Sequence, residues 1–101
     1  MKSDNWHRSK ELWERSKQSL AGGISSNVRA NVKPFPIFFE RAEGAMIYDV
    51  DGNAYVDYML GQGPMILGHS RKAVLDAVDT AMRRGQLYGA QHELEIEVSE
   101  A

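Results

Sequence analysis

Apolar residues in the first part of the chain recur at the spacing of an α-helix. Four of them share one helical face at separations of seven and eight positions: Trp6, Trp13, Leu12 and Leu20. Gly22-Gly23 follows, and glycine ends helices because its backbone readily leaves the helical conformation. The pattern predicts a helix from about Ser9 to Leu20, within an N-terminal helical region of residues 1–21.

The middle of the chain alternates between apolar and polar residues and predicts three β-strands: Ile37–Arg41, Ala45–Val50 and Ala54–Met59. Asp51-Gly52-Asn53 separates the second strand from the third. Asp-Gly between alternating apolar residues is a strong hairpin signal, because glycine accepts the positive φ that tight hairpin turns require. The pattern therefore predicts a three-stranded antiparallel meander.

Two further helices are predicted after a glycine-rich loop, Gly61–Gly68. Ser70 is the predicted N-cap of the first helix, and Gly85 ends it. Its predicted buried face carries five apolar residues: Val74, Leu75, Val78, Ala81 and Met82. The second helical pattern, His92–Ala101, is not followed by a helix-ending residue, so we expect the chain to be the opening part of a longer protein.

These elements predict an α+β fold in four parts. The helical region 1–21 is followed by a loop at 22–36 that carries two prolines. The β-meander and its glycine-rich loop occupy residues 37–69, and the two later helices occupy residues 70–101.

Composition excludes several classes of protein. Hydrophobic residues make up 43% of the chain and charged residues 26%, as in soluble globular proteins rather than disordered ones. The net charge of −2 gives no basic field, so neither nucleic acid nor an anionic membrane is indicated as a partner. No apolar run approaches the roughly 20 residues of a membrane helix. We therefore expect a soluble, cytoplasmic protein.

Most candidate motifs are better explained by structure than by chemistry. Asp49–Asn53 superficially resembles a calcium loop, but its glycine comes too early and Leu60 takes the place of the closing glutamate. We interpret this run as a hairpin turn. His7, His69 and His92 lack the spacing of metal ligands, so no metal site is predicted.

Arg29 is the one charged residue in the stretch 22–31. A guanidinium in such a loop could clamp a carboxylate through two parallel hydrogen bonds. Taken alone, such a residue is more often a solvated surface arginine. Ser25 and Ser26 lie near no obvious base in the sequence, so a serine nucleophile is not predicted.

Three segments, in this order and at this spacing, resemble the opening of a class III aminotransferase: GGISSNVRA at 22–30, GAMIYDVDGNAYVDY at 44–58 and GPMILGH at 63–69. Within that class they are most similar to the glutamate-1-semialdehyde 2,1-aminomutases and their near relatives. The resemblance covers nearly the whole chain, from about Ser9 to Ala101.

The resemblance implies a pyridoxal 5′-phosphate enzyme of fold type I, an α/β homodimer with active sites at the subunit interface. This chain would be the N-terminal part of its small domain, with residues 70–101 leading into the large domain. In the aminomutase branch, the serine and arginine of the first segment bind the substrate's carboxylate. Ser26 and Arg29 occupy those positions, which makes residues 22–36 a substrate loop. The implied reaction transfers an amino group between an amino acid and a keto or aldehyde acceptor.

Gln62 departs from the aminomutase pattern, which has a tryptophan at this wall of the substrate pocket. The change indicates an aminotransferase that uses another amino or keto acid, with Gln62 among the substrate-binding residues. A true aminomutase remains the alternative. The stretch Ser70–Val74 also lacks a proline of the family pattern, which the predicted Ser70 cap can replace.

The resemblance places the family's Schiff-base lysine, its cofactor-pairing aspartate and its phosphate-binding residues beyond Ala101. We therefore expect no catalytic, cofactor-binding or metal-binding residue in this chain, and no activity from it alone. A stand-alone, non-catalytic binding or assembly module is the remaining alternative. Its apolar stripe of Leu94, Val98 and Ala101 would then need a covering partner.

Overall fold

A computed structural model describes residues 5–101, which belong to two compact units. Residues 1–4 of the predicted N-terminal helical region lie outside the described residues. The sheet unit, described over residues 5–69, contains one helix and three strands: α1 at His7–Ser19, β1 at Phe39–Glu43, β2 at Met46–Asp49 and β3 at Ala54–Val56. The helical unit, Ser70–Ala101, contains α2 at Lys72–Met82 and α3 at Glu93–Glu100. The predicted combination of helices with a three-stranded sheet is confirmed.

The three strands form an antiparallel sheet in the order β1-β2-β3, as the hairpin signals predict. β1 begins two positions later than predicted, at Phe39, and its pairing with β2 is irregular between Phe39 and Arg41. β3 ends at Val56 rather than Met59. It stops there because the Asp57 carboxylate accepts the backbone N–H of Met59 at 2.8 Å, which turns the chain out of the sheet.

The helix α1 buries polar rather than apolar side chains. It begins at His7 instead of Ser9, and its two buried residues are Ser9 and Ser16. The residues of the predicted apolar face are only half-buried or exposed: Trp6, Leu12, Trp13 and Leu20. The buried side of α1 is therefore not its apolar face, because the helix meets the rest of the unit through hydrogen bonds. The Ser9 hydroxyl accepts the backbone N–H of Phe38 at 3.3 Å.

Asp49 is the centre of the sheet unit, with 0% of its surface exposed. One of its carboxylate oxygens accepts the backbone N–H groups of Asp51 and Asn53, at 3.0 and 2.8 Å. The other accepts the Asn53 side-chain amide and the Tyr55 hydroxyl, both at 2.8 Å. Burial acts to raise the pKa of Asp49, but the hydrogen bonds from Asn53 and Tyr55 outweigh it, so the pKa is lowered. The carboxylate is therefore held ionised at the turn between β2 and β3.

Asp51, in the same turn, caps the start of α1. Its carboxylate oxygens accept the backbone N–H groups of Arg8 at 2.6 Å and Ser9 at 2.9 Å. Trp6, at the N-cap position itself, makes no side-chain capping hydrogen bond. The first N–H groups of a helix have no hydrogen-bond acceptor within the helix. In α1 a residue distant in sequence, Asp51, supplies the acceptor. The hairpin turn is thus both the end of the sheet and the cap of the helix.

The helical unit buries none of its described side chains. The predicted apolar stripe of α2 is present, but its residues remain open to solvent, with Val78 46% exposed. The prediction that Ser70 caps α2 is wrong. Ser70 has a positive φ of 55°, and the N-cap position belongs to Arg71, which makes no side-chain capping hydrogen bond.

The α3 helix begins after His92, whose Nδ1 accepts the backbone N–H of Leu94 at 3.1 Å. None of the helices described over residues 5–101 is long and apolar enough to cross a membrane. Within the same residues no group of three or more histidine, cysteine, aspartate or glutamate side chains could hold a metal ion.

Candidate functional site

The loop after α1 reaches its position through a close approach of backbone to side chain. Gly23 is buried with φ of 75°, and a Cβ added there would lie 2.6 Å from Cζ3 of Trp13. Since no larger residue fits without displacing the tryptophan, the glycine fixes how the chain leaves the helix. Ser26 then has an extended backbone, and a short 3₁₀ turn follows at Asn27–Arg29.

Arg29 projects from this turn with an exposed side chain. Its Nη1 donates a hydrogen bond to the Ser25 hydroxyl at 2.8 Å. No carboxylate within residues 5–101 forms an ion pair with the guanidinium. Ser25 is therefore the serine that orients Arg29, while the carboxylate-binding role of the neighbouring Ser26 stays a prediction. The remaining donors of the guanidinium are available to a ligand.

The three predicted substrate-binding residues lie around one cavity. Ser26, Arg29 and Gln62 all line an open cavity of about 830 Å³ in the sheet unit. Two loops that are distant in sequence, 22–36 and 61–68, therefore contribute to the same space. The functional role of the three residues stays a prediction.

Asp57 and His69 line the same cavity, and sequence reasoning did not select them. The sequence pattern puts Asp57 inside a predicted strand and His69 at the end of a segment that resembles the family, and it predicts no binding role for either residue. The signal available in the sequence was their position, since one precedes the glycine-rich loop and the other follows it.

Asp57 is 8% exposed and uses both oxygens of its carboxylate. One oxygen accepts the backbone N–H groups of Met59 at 2.8 Å and Leu60 at 3.0 Å. The other lies 2.6 Å from Nε2 of His69. The His69 hydrogen bond, followed by that from the Leu60 amide, lowers the pKa of Asp57 despite its burial. Because an ionised carboxylate only accepts hydrogen bonds, Nε2 of His69 carries the hydrogen.

The backbone between these two residues follows an unusual path. Four consecutive residues have positive φ: Leu60 at 52°, Gly61 at 61°, Gln62 at 68° and Gly63 at 116°. Glycine adopts this conformation readily, whereas leucine and glutamine rarely do. The strain at Leu60 and Gln62 lies in the loop that forms one wall of the cavity, where strained residues often serve a function.

The cavity lining carries charges of both signs, and Arg29 is the group in it that suits an anionic ligand. Besides Arg29, the lining includes Arg41, whose guanidinium stacks over the Tyr48 ring at 3.5 Å from its centroid. Glu40 is also in the lining, while Asp57 is already satisfied by its own hydrogen bonds. The arrangement can therefore bind a carboxylate at Arg29, and it offers hydroxyl and amide groups beside it.

The chain is similar to known aminotransferases and aminomutases. The family described as aminotransferase class-III matches residues 27–99. The glutamate-1-semialdehyde 2,1-aminomutase of Saccharolobus islandicus is 50% identical over 91 residues, which cover 90% of this chain and 21% of that protein. The chain thus spans about a fifth of the length of the curated relatives it matches.

Solved structures give the same comparison in three dimensions. A transaminase with PLP bound superposes with a TM-score of 0.85 at 26% identity, covering 94% of this chain and 22% of that one. A glutamate-1-semialdehyde-aminomutase from Pseudomonas aeruginosa superposes with a TM-score of 0.80 at 28% identity, covering 90% and 20%. The likeness therefore includes most of the sheet unit and of the helical unit.

Proposed function

The chain belongs to the class III aminotransferases, and from that premise we propose that it supplies the carboxylate-binding part of an active site that transfers an amino group. The predicted α+β segment of a fold type I enzyme is confirmed by its structural matches. The observation that carries the proposal is the position of Arg29. It lines a cavity beside Ser26 and Gln62, and no carboxylate within residues 5–101 neutralises it.

Arg29 suits a substrate carboxylate by both geometry and charge. A guanidinium presents parallel N–H donors that match the two oxygens of a carboxylate. The Ser25 hydroxyl accepts from one terminal nitrogen, which limits the rotation of the side chain and leaves other N–H groups for the ligand. Ser26, on the same cavity, can donate a further hydrogen bond from its hydroxyl. Together these groups would orient an amino acid by its carboxylate end.

Class III aminotransferases use pyridoxal 5′-phosphate, which serves as an electron sink for the bonds of the bound amino acid. The described part of this chain does not fit that cofactor by itself. No lysine within residues 5–101 lines the cavity, so no amine is available there to bond to the cofactor's aldehyde. We propose that residues outside this chain hold the cofactor and that the 101-residue chain is inactive alone.

We assign the reaction as transfer between an amino acid and a keto or aldehyde acceptor. Gln62 presents a polar, flexible side chain at the cavity wall where the aminomutase pattern has tryptophan, and this favours a different substrate. The identity of 50% to an aminomutase favours the alternative, exchange of the amino group within glutamate-1-semialdehyde. Turnover of glutamate-1-semialdehyde without any added acceptor would support the alternative, whereas reaction only with a separate donor and acceptor would support transfer.

The carboxylate clamp is tested in the full-length protein with Arg29→Ala. The amino acid that reacts fastest in a panel of donors is used as the substrate. Its kcat/KM is expected to fall, and the fall should correspond to a loss of about 2–4 kcal/mol of transition-state stabilisation. The matched substrate is the amine in which a methyl group replaces that carboxylate, such as isopropylamine for alanine. Its kcat/KM is expected to change little, because it has no carboxylate for Arg29 to bind.

The control variant is Arg15→Ala, which removes an exposed arginine of α1 that does not line the cavity. It is expected to leave kcat/KM unchanged for both substrates. Equal losses in Arg29→Ala for the amino acid and the amine would contradict the carboxylate clamp, as would no loss for either.

The homodimer and the cytoplasmic location remain proposals, as does the stand-alone module. An intact mass of the protein from its source, after borohydride reduction, separates the enzyme from the module. A heavier chain with one reduced phosphopyridoxyl group supports the enzyme. A chain ending at Ala101 without that group supports a non-catalytic binding or assembly module.

A further inference from the structure

We propose that Asp57 and His69 are positioning residues, whose hydrogen bond holds the loop of residues 58–68 so that Gln62 lines the Arg29 cavity. The inference rests on the proposed function of that cavity. Neither residue is assigned a chemical step, because both oxygens of Asp57 are already engaged and His69 donates its Nε2 hydrogen to Asp57.

The two residues fasten the loop at both ends. At its start, the Asp57 carboxylate accepts the backbone N–H groups of Met59 and Leu60. At its end, His69 pairs with Gly44 through two backbone hydrogen bonds of 2.9 Å, one in each direction. The side-chain bond between Asp57 and His69 then closes the loop, so its start is tied to the turn between β1 and β2.

The close approach at the end of the loop is built into the sequence. A Cβ added to Gly68, which has φ of 81°, would lie 3.2 Å from the carbonyl oxygen of Gly44. A side chain at this position would both strain the backbone and press on the turn, so glycine allows His69 to reach its partner. The histidine side chain is thereby brought within 2.6 Å of Asp57.

The loop needs such a closure because its own backbone is strained. Leu60 and Gln62 hold positive φ, a conformation that non-glycine residues leave when nothing constrains them. Inside the loop, the Leu60 carbonyl accepts the N–H groups of Gly63 at 3.0 Å and Met65 at 3.1 Å. Leu60 is therefore held from both sides, by Asp57 at its N–H and by the loop at its carbonyl. The Asp57–His69 bond in turn anchors the carboxylate that holds the Leu60 N–H, so its loss loosens the first of these two constraints.

The first test measures the loop itself and needs neither substrate nor activity. Amide hydrogen exchange at Met59 and Leu60 is compared in the full-length protein and in two variants, His69→Leu and His69→Gln. His69→Leu removes the donor, so exchange at these amides is expected to accelerate about tenfold or more. His69→Gln retains an N–H donor and is expected to restore most of the protection. Unchanged exchange in His69→Leu would overturn the proposal.

The second test measures the consequence at the cavity. Asp57→Asn and His69→Leu are expected to raise KM for the carboxylate-bearing donor about tenfold, with kcat changed by less than about threefold. In a Gln62→Ala background the same substitutions should change KM by less than about twofold, because their effect acts through Gln62. Asp79→Asn, an exposed α2 carboxylate that pairs with Arg83, serves as the control and should leave KM unchanged.

The outcomes separate this inference from the proposed function. Faster exchange in His69→Leu together with full effects in the Gln62→Ala background would show that the pair acts on stability alone, and this result contradicts positioning. Faster exchange with no kinetic effect of Arg29→Ala would instead overturn the carboxylate clamp and leave the closure of the loop in place. If His69→Leu does not fold, Asp57→Asn gives the same comparison, since it retains the side-chain volume and one acceptor oxygen.

Discussion

The sheet unit and the helical unit differ in which side chains they bury. Within residues 5–69 every fully buried side chain is polar, and no buried side-chain nitrogen or oxygen of the described chain lacks a partner. Within Ser70–Ala101 no side chain is buried, and apolar residues stand open to solvent, with Leu87 94% exposed. One unit is held by hydrogen bonds to a few carboxylates, whereas the other carries apolar surface that its own residues do not cover.

This difference in burial shows how much structural information an amphipathic pattern and a buried carboxylate each carry. An amphipathic period identifies the apolar face of a helix but not what covers that face. A buried carboxylate is more specific, because each of its oxygens must be matched by a donor at a defined place. Asp49 thereby fixes the turn between β2 and β3, and Asp51 fixes where α1 begins relative to that turn.

The largest effect is expected from Asp49→Ala in the full-length protein. The substitution leaves two backbone N–H groups and the Tyr55 hydroxyl without their acceptor in a buried place. The local free energy of unfolding of residues 5–69 is expected to fall by about 3–5 kcal/mol. Amide exchange measured by mass spectrometry should show lost protection there and little change in residues 70–101.

Asp76→Ala is the matched control, since Asp76 lies exposed on α2 and pairs with Lys72 of the same helix. Such exposed pairs contribute little to stability, so the free energy should change by less than about 0.5 kcal/mol. A similar small change in Asp49→Ala would break the comparison, because the sheet unit would then not depend on its buried carboxylate.

Acid provides the next test, and its sign follows from the lowered pKa values of Asp49, Asp51 and Asp57. A carboxylate whose folded-state pKa lies below its unfolded value stabilises the fold above the unfolded pKa, about 4 for aspartate. That stabilisation is lost as the pH falls through the lower folded-state pKa. Residues 5–69 should therefore lose protection below about pH 4, as seen by incubation at each pH followed by a labelling pulse at one fixed pH.

In the Asp49→Ala variant the same acid transition should be shallower, because one of the three carboxylates is absent. Protection that is independent of pH down to about 3 would contradict the ionised network. The experiment also sharpens the comparison, since the helical unit buries no carboxylate and should not share the transition.

The exposed apolar surface of the helical unit predicts an intermediate effect. We expect the 101-residue chain to self-associate through this surface, which exposed patches of this kind favour. Val78→Glu places a charge on the apolar stripe of α2 and should weaken association about tenfold by sedimentation. Thr80→Glu adds the same charge to the same helix at an exposed polar position and should leave association unchanged. A sharp melting transition that is independent of concentration in the unmodified chain would contradict this expectation.

The sequence predicts the helices and the meander because these follow from local periodicity and turn chemistry. It does not predict which residues are buried. Ser9 is buried because it meets Phe38 and Asp51, and neither contact has a periodic signature. The predicted cap of α2 fails for a similar reason, since Ser70 takes a positive φ next to the bridge between His69 and Gly44.

The residues of the candidate site likewise include some that the sequence predicts and some that it does not. Ser26, Arg29 and Gln62 are selected by a resemblance between short segments, and the structure brings them to one cavity. Asp57 and His69 are missed, because the hydrogen bond that joins them depends on the path of the intervening loop. A hydrogen bond between side chains that are twelve positions apart is specified by tertiary structure and leaves little trace in a single sequence.

The smallest effect on amide exchange is expected from Asp51→Asn. This substitution tests whether the cap of α1 in the sheet unit differs in strength from the cap of α3 in the helical unit. An asparagine offers one acceptor oxygen where the carboxylate offers two, so only one of the amides of Arg8 and Ser9 keeps its partner. Exchange at the start of α1 should therefore accelerate severalfold, with the sheet little affected. His92→Leu is the parallel change at α3, where the cap comes from a residue adjacent in sequence. If the two substitutions accelerate amide exchange equally, the distant cap of α1 contributes no more than the local cap of α3. The hairpin turn would then add nothing to α1 beyond a hydrogen-bond acceptor.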